Sequence, residues 1–215
     1  MMDTEHPIEC AGTALGRHRH LCAFFNSREE EYATLLPFIR EGFDRGHRAF
    51  HIVDPQLLDD HEERLSAAGI SVPEVKGRGQ LEIRPWAEAY LRDGRFDQHR
   101  MLALIEEVLE AGKTQGYPLT RLVAHMEWAV EDRPGVDDLV EYETRLNYVL
   151  PKYQDPVICT YDLAKFGGDV VMDIMRTHPA VIVGGVLLEN PFYVEPDRLL
   201  TELRGRRAPA ARARA

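Results

Sequence analysis

Apolar residues along this chain follow two spacings that alternate. Compact apolar runs occupy residues 20–25 (HLCAFF), 48–53 (RAFHIV), 80–83, 121–128, 157–161 and 180–187. Each is short and rich in β-branched or aromatic residues, which reads as a strand covered on both faces. Between these runs the period becomes helical. Over residues 29–45, Tyr32, Leu35, Leu36, Ile39 and Phe43 recur at close to helical spacing, and Gly46 supplies a stop. A helix over residues 55–68 starts at Pro55 and closes at Gly69. A long one is capped by Asp97 and ends near Gly116, and another over residues 136–150 is stopped by Pro151. Residues 170–176 and 196–203 read as shorter helices. The alternation predicts an α/β fold with a mainly parallel central sheet flanked by helices on both faces. The expected division is a flexible N-terminus over residues 1–16, one domain over 17–203, and a disordered Arg/Ala-rich tail over 204–215.

In such sheets ligands sit beyond the carboxyl ends of the strands. That rule selects the turns after Phe25, Val53, Met126 and Tyr161. The first of these, Asn26-Ser27-Arg28-Glu29-Glu30-Glu31, stands where a nucleotide-binding α/β protein carries its phosphate loop. It has no glycine and no lysine, and it brings three carboxylates. Triphosphates need close backbone amides and an ammonium, so hydrolysis of the usual kind is disfavoured. Asn26 or Ser27 can cap the following helix, and Glu29–Glu31 complement its dipole. The fourth strand closes on Glu127 with Trp128 beside it. Glu127 is read either as a ligand contact or as a partner of Arg121 or Arg145. Asp162 is a candidate acid or base, or a helix cap. The set expected to bind a small ligand is Phe25, Asn26, Asp54, Glu127, Trp128, Tyr161 and Asp162, the aromatics supplying apolar contact and the polar groups orientation.

Metal binding is a weaker expectation. His20 and Cys22 share one face of a strand, and Cys159 and His178 can approach from elsewhere, but no CxxC or HExxH spacing supports them. Buried thiols and hydrogen-bonded imidazoles are the simpler reading. No GxSxG elbow or Cys–His spacing marks a nucleophile. "NPFY" at residues 190–193 resembles a tyrosine-based sorting signal, but reads more simply as a turn.

Charge narrows the partners. The chain carries −10 overall, and residues 204–215 hold five arginines and no acid, which leaves 21 basic against 36 acidic residues, a body of −15. Such a body repels nucleic-acid phosphates. No stretch approaches the about 18 apolar residues of a membrane span, and residues 1–19 lack a signal-peptide core, so a cytoplasmic location is expected.

The segments "HLCAFFNSREEE", "LLPFIREGFDRGHRAFHIVD", "GQLEI", "AYLRDGRFDQHRML", "HMEWAV", "YETRLN", "CTYDL" and "THPAVIVGGVLLENPFYVEP", in that order, resemble the MEDS domain, the sensory domain of DcmR-type regulators, over residues 17–200. The resemblance implies a RecA/KaiC-like fold without the Walker A loop. It also implies a non-enzymatic sensor of small organic molecules, proposed to include hydrocarbon derivatives. It supplies no set of binding residues. Relatives join the domain to helix-turn-helix regulators, histidine kinases or anti-sigma-type modules. Only twelve residues follow Leu203, so the output is expected through such a separate partner or through homo-oligomerisation. No catalytic residue and no cofactor is expected. The alternatives are a ligand-free interaction scaffold built on an ATPase fold, or a metal-dependent or nucleotide-hydrolysing enzyme.

Overall fold

The computed structural model describes residues 7–212. A seven-stranded sheet runs in the order β5-β4-β6-β7-β3-β8-β9. Its members are β3 (His20–Phe25), β4 (Arg48–Val53), β5 (Leu81–Pro85), β6 (Thr120–His125), β7 (Val157–Asp162), β8 (Ala180–Val183) and β9 (Val186–Glu189). Every pairing is parallel except β8 with β9. The strands β3, β4 and β6 are buried along their whole length, as two-sided coverage requires. A two-residue-per-strand hairpin, β1 (Glu9–Cys10) with β2 (Thr13–Ala14), precedes the sheet and buries Ile8, Cys10 and Leu15. The segment expected to be flexible is thus paired from Glu9 to Ala14.

Strand side chains alternate between faces, and the core divides accordingly. Leu21, Ala23 and Phe25 of β3 pack with α1 (Arg28–Asp44), α2 (Leu58–Ala67) and α3 (Val72–Gly77). Cys22 and Phe24 pack with α4 (Gln98–Thr114), α5 (Leu139–Val149) and α6 (Gly168–Met175) on the opposite face. The caps are those the residue types predict. Ser27 Oγ accepts from Glu30 N at 3.2 Å, and Asp97 Oδ1 accepts from His99 N at 3.0 Å and Arg100 N at 3.1 Å.

Three differences from the pattern-based expectation have a clear local cause or consequence. The apolar run 180–187 is two strands, because Gly184 (φ 56°) and Gly185 (φ 72°) take left-handed conformations that close a two-residue hairpin. The fourth strand stops at His125. Met126 (φ −99°, ψ 3°) leaves the extended region, and Glu127–Val130 form a 3₁₀ turn. The final helix, α7 (Pro196–Arg212), continues through residues 204–212, where a disordered tail was expected. Residues 1–6 and 213–215 of the expected termini lie outside the described residues. Among the described residues, no helix is long and apolar enough to cross a membrane.

Candidate functional site

The turn from β3 into α1 gives each of its glutamates a different task. Glu30 reaches back to accept from Asn26 N at 2.8 Å and Asn26 Nδ2 at 3.0 Å, which tightens the first turn. Glu29 is exposed and meets Arg64 at 3.3 Å. Glu31 is buried between two partners: Arg28 Nη1 contacts its Oε2, and His125 Nε2 lies 3.2 Å from its Oε1. Burial raises the Glu31 carboxyl, but His125 and Arg28 overcome that and hold it at about 2.

Arg28 also ties this turn to the end of β6. Its Nη2 donates to Glu127 Oε1 at 2.9 Å, and Glu127 is 1% exposed. The partners expected from sequence, Arg121 and Arg145, are engaged elsewhere, with Glu41 at 2.7 Å and Glu141 at 2.7 Å. The position that a phosphate loop occupies in a nucleotide-binding relative of this topology is therefore spanned by a side-chain ion network.

Behind it lies a chain of buried imidazoles. Tyr32 OH sits 2.6 Å from His61 Nδ1, His61 Nε2 sits 2.9 Å from His51 Nδ1, and Asp54 N donates to His125 Nδ1 at 3.4 Å. With Nδ1 of His125 accepting, its Nε2–H is free to donate to Glu31. Burial, reinforced by the neighbouring imidazoles, pushes His51 down to about 3 and His61 well below the usual range, so both are neutral.

On the opposite face the strand ends carry an aromatic box. Trp128 stacks on Tyr90 (centroids 4.5 Å, 12°) and leans on Phe96 (4.4 Å), while Tyr142 presents its edge to Phe96 at 5.4 Å. Trp128 is fully buried, and its Nε1 has no hydrogen-bond partner. The same holds for Oε2 of the adjacent Glu127.

The seven sequence-selected residues divide between these surroundings. Phe25 faces α1, whereas Tyr161 and Trp128 face α4 and α5. Asn26 is exposed in the first turn. Asp54 caps the 3₁₀ turn after β4, accepting from Gln56 N at 2.9 Å, and Asp162 accepts from Ala164 N at 2.9 Å. An open cleft of about 300 Å³ lies at this edge, lined by Asp54, Trp86, Leu91, Glu131 and Arg133 among others. Of the seven, Asp54 alone lines it. Arg28, Glu31, His51, His61, Tyr90 and Phe96 join the strand-end constellation without having been selected from sequence. Only the phase of α1, with Glu31 beside the apolar Tyr32 and Leu35, carried a hint that one glutamate turns inward.

A second polar cluster sits near the amino ends of the strands. His20 at the start of β3, Cys159 in β7, His178 before β8 and Glu143 in α5 are all buried, and their nitrogen, sulfur and oxygen atoms lie within 4.8 Å of one another. The sequence grouped three of these four. Cys22, the fourth, lies beside the cluster, and Glu143 takes its place. Tyr161 OH donates to Glu143 Oε1 at 2.9 Å. Burial raises the Glu143 carboxyl, but His178 and His20 hold it at about 2, while burial pushes the Cys159 thiol up to about 12.

The fold and this site define a RecA-like α/β protein whose β3–α1 turn is held by side-chain ion pairs. The comparisons agree. The sequence model of the MEDS family (methanogen/methylotroph, DcmR sensory domain) matches residues 19–179, and the chain belongs to that family. The transcriptional repressor DcmR of Methylorubrum extorquens (strain DSM 6343 / CIP 106787 / DM4) is 24% identical over 179 residues, 79% of this chain. The chain spans 62% of that repressor's length. Among solved structures, KaiC-like protein PH0186 from Pyrococcus horikoshii OT3 superposes with a TM-score of 0.53 at 14% identity, covering 76% of this chain and 70% of the other. That likeness shows the fold. The family and the relative support a sensory or regulatory role.

Proposed function

We propose that this chain is a non-enzymatic sensor that takes a small organic molecule at the carboxyl edge of its sheet and passes its occupancy to a separate regulatory partner. The observation that carries the reading is the orphaned Nε1 of Trp128, buried against Tyr90 and Phe96 and next in sequence to Glu127, whose Oε2 is also without a partner. Buried polar groups are almost always bonded, and an orphaned N–H costs about 1–3 kcal/mol. A short hydrocarbon bearing a hydroxyl suits this site, because the hydroxyl oxygen would accept from the indole N–H while the chain packs on the rings. The cleft lined by Trp86 and Leu91 lies at the same edge and is the proposed approach. The turn after β3 has lost the glycines and lysine of a phosphate loop, so ATP with magnesium is not a ligand there. A transcription-regulating role, with a histidine kinase, an anti-sigma-type protein or a DNA-binding protein as partner, follows by analogy with the repressor relative.

The test is a thermal-shift and calorimetric screen of short-chain alcohols and halogenated hydrocarbons against the wild type and Trp128→Phe, which keeps the ring and removes the donor. Alcohols are expected to stabilise the wild type and to lose at least tenfold in affinity on Trp128→Phe. No shift with any compound, or binding of ATP with turnover, refutes the reading. A second reading, an interaction scaffold or homo-oligomer, draws on one feature. The β8–β9 hairpin is a sheet edge with Val183, Val186 and Leu188 44%, 47% and 50% exposed. Light scattering coupled to size exclusion distinguishes the two.

A further inference from the structure

We propose that His20, Glu143, Cys159 and His178 form a closed, four-coordinate site for a zinc ion. The proposal is independent of the strand-end pocket and concerns a site at the other end of the sheet.

The argument starts from distances. Zinc holds nitrogen and oxygen at about 2.0–2.2 Å and sulfur at about 2.3 Å, so the edges of a zinc tetrahedron measure about 3.3–3.8 Å. Here His20 Nε2 lies 3.2 Å from Glu143 Oε2, His178 Nε2 3.4 Å from the same oxygen, Cys159 Sγ 3.7 Å from that oxygen and 4.0 Å from His20 Nε2. No pair exceeds 4.8 Å. Four of the six donor–donor separations thus lie at or near tetrahedral edge lengths, and the other two are no longer than 4.8 Å. The mixture of two imidazoles, one thiolate and one carboxylate suits zinc among the common divalent ions.

Hydrogen bonds outside the cluster aim the imidazoles inward. Asn147 Nδ2 donates one hydrogen to the carbonyl of Thr177 at 2.8 Å and shares the other between those of Glu143 and Thr144 at 3.2 and 3.3 Å. Its Oδ1 is therefore the acceptor for His20 Nδ1 at 3.1 Å, which keeps a proton on Nδ1 and makes Nε2, 3.2 Å from Glu143 Oε2, the nitrogen available to an ion. His178 Nδ1 lies 2.7 Å from Thr177 Oγ1 and 3.1 Å from the carbonyl of Ile174; because the Thr177 hydroxyl donates to that carbonyl at 2.7 Å, Nδ1 is left to donate, which is the same tautomer. Its Nε2 points into the cluster and has no hydrogen-bond partner, although the residue is 0% exposed. Two imidazoles oriented through Nδ1, with inward Nε2 atoms, are the outer-shell arrangement of histidine metal ligands. Glu143 keeps one oxygen for the ion and gives the other to Tyr161 OH at 2.9 Å.

Access exists. An open cleft of about 540 Å³ at the amino edge of the sheet is lined by Arg17, His20, Asn147, Tyr148, Tyr193 and Asp197, among others, so the outermost ligand and its positioning residue form part of its wall. Zinc binding displaces the Cys159 thiol proton, and the bound ion staples α5 to β3, β7 and the segment before β8. With four protein ligands no position is left for a substrate, so the role is structural or regulatory.

Elemental analysis of the full chain, purified without chelator or metal-affinity steps, is expected to find one zinc per chain. After chelation, added Co²⁺ is expected to give the visible bands of a four-coordinate ion and a thiolate-to-cobalt charge-transfer band. Cys159→Ser removes the charge-transfer band. Asn147→Ala, outside the ligand set, keeps the stoichiometry and weakens zinc roughly 10–100-fold in a chelator competition. X-ray absorption on the zinc-loaded wild type needs no variant and is expected to show one sulfur and three nitrogen or oxygen neighbours. Failure of the folded wild type to retain zinc or to bind Co²⁺, or a first shell without sulfur, overturns the proposal.

Discussion

Replacing Arg28 with methionine tests whether the turn after β3 is held by ions where a nucleotide protein uses a phosphate. The side chain is 17% exposed and bridges Glu31 and Glu127, whose side chains are 5% and 1% exposed. Glu31 keeps His125 as a partner in the variant, but Glu127 is left as a buried carboxylate without its cation. Breaking a buried pair on one side costs about 3–5 kcal/mol, chiefly because the surviving charge is unsolvated. The residual exposure of Arg28 puts the expectation at the low end, about 3 kcal/mol. Glu127→Gln in the same background removes the stranded charge, and the double variant is expected to recover at least about 1 kcal/mol of the loss. Equilibrium urea unfolding of wild type, both single variants and the double variant closes the cycle. A cost below about 1 kcal/mol for Arg28→Met, or a coupling of zero within error, would show that the network does not hold the turn.

Three further outcomes are expected. His51 sits at about 3 and His61 well below its ordinary 6.5 when folded, so the unfolded state takes up protons that the folded state refuses; their contribution is complete above pH 6.5 and is lost as pH falls, at up to about 2.7 kcal/mol per pH unit for the two, and His51→Gln is expected to flatten that slope by about half in urea titrations between pH 6.5 and 4. Asp155 is the opposite case: burial raises it from 3.8 to about 6, so its favourable contribution is present below pH 3.8 and lost as pH rises through 6; Asp155→Asn, which keeps the acceptor for Thr120 N, is expected to gain up to about 3 kcal/mol relative to wild type between pH 3.8 and 7, and a pH-independent difference refutes the assignment. A Cβ on Gly112 of α4 meets Thr120 Oγ1 of β6 at 2.2 Å; Gly112→Ala is expected to destabilise by about 1–3 kcal/mol despite better helix propensity, with Thr120→Ala rescuing it, as calorimetry will show.

The sequence alone determined the layered α/β fold. Two-sided burial makes a strand an unbroken apolar run, and one-sided burial makes a helix periodic, so β3, β4, α1 and α4 were legible within a residue or two. Caps such as Asp97 are local chemistry and were equally readable. It also showed that the turn after β3 carries neither glycine nor lysine, which is a fact of composition. Tertiary structure decided everything that depends on which separate segments meet. The split of residues 180–187 into a hairpin rests on two positive φ angles that an apolar run conceals. The partner of Glu127 is Arg28, about one hundred residues earlier and adjacent only because parallel strands bring β6 and the β3–α1 turn to one edge. Glu143 carried no sequence signal at all. It is an ordinary helical glutamate until the packing of α5 places it between His20, Cys159 and His178, where burial and charge give it a role no local pattern encodes.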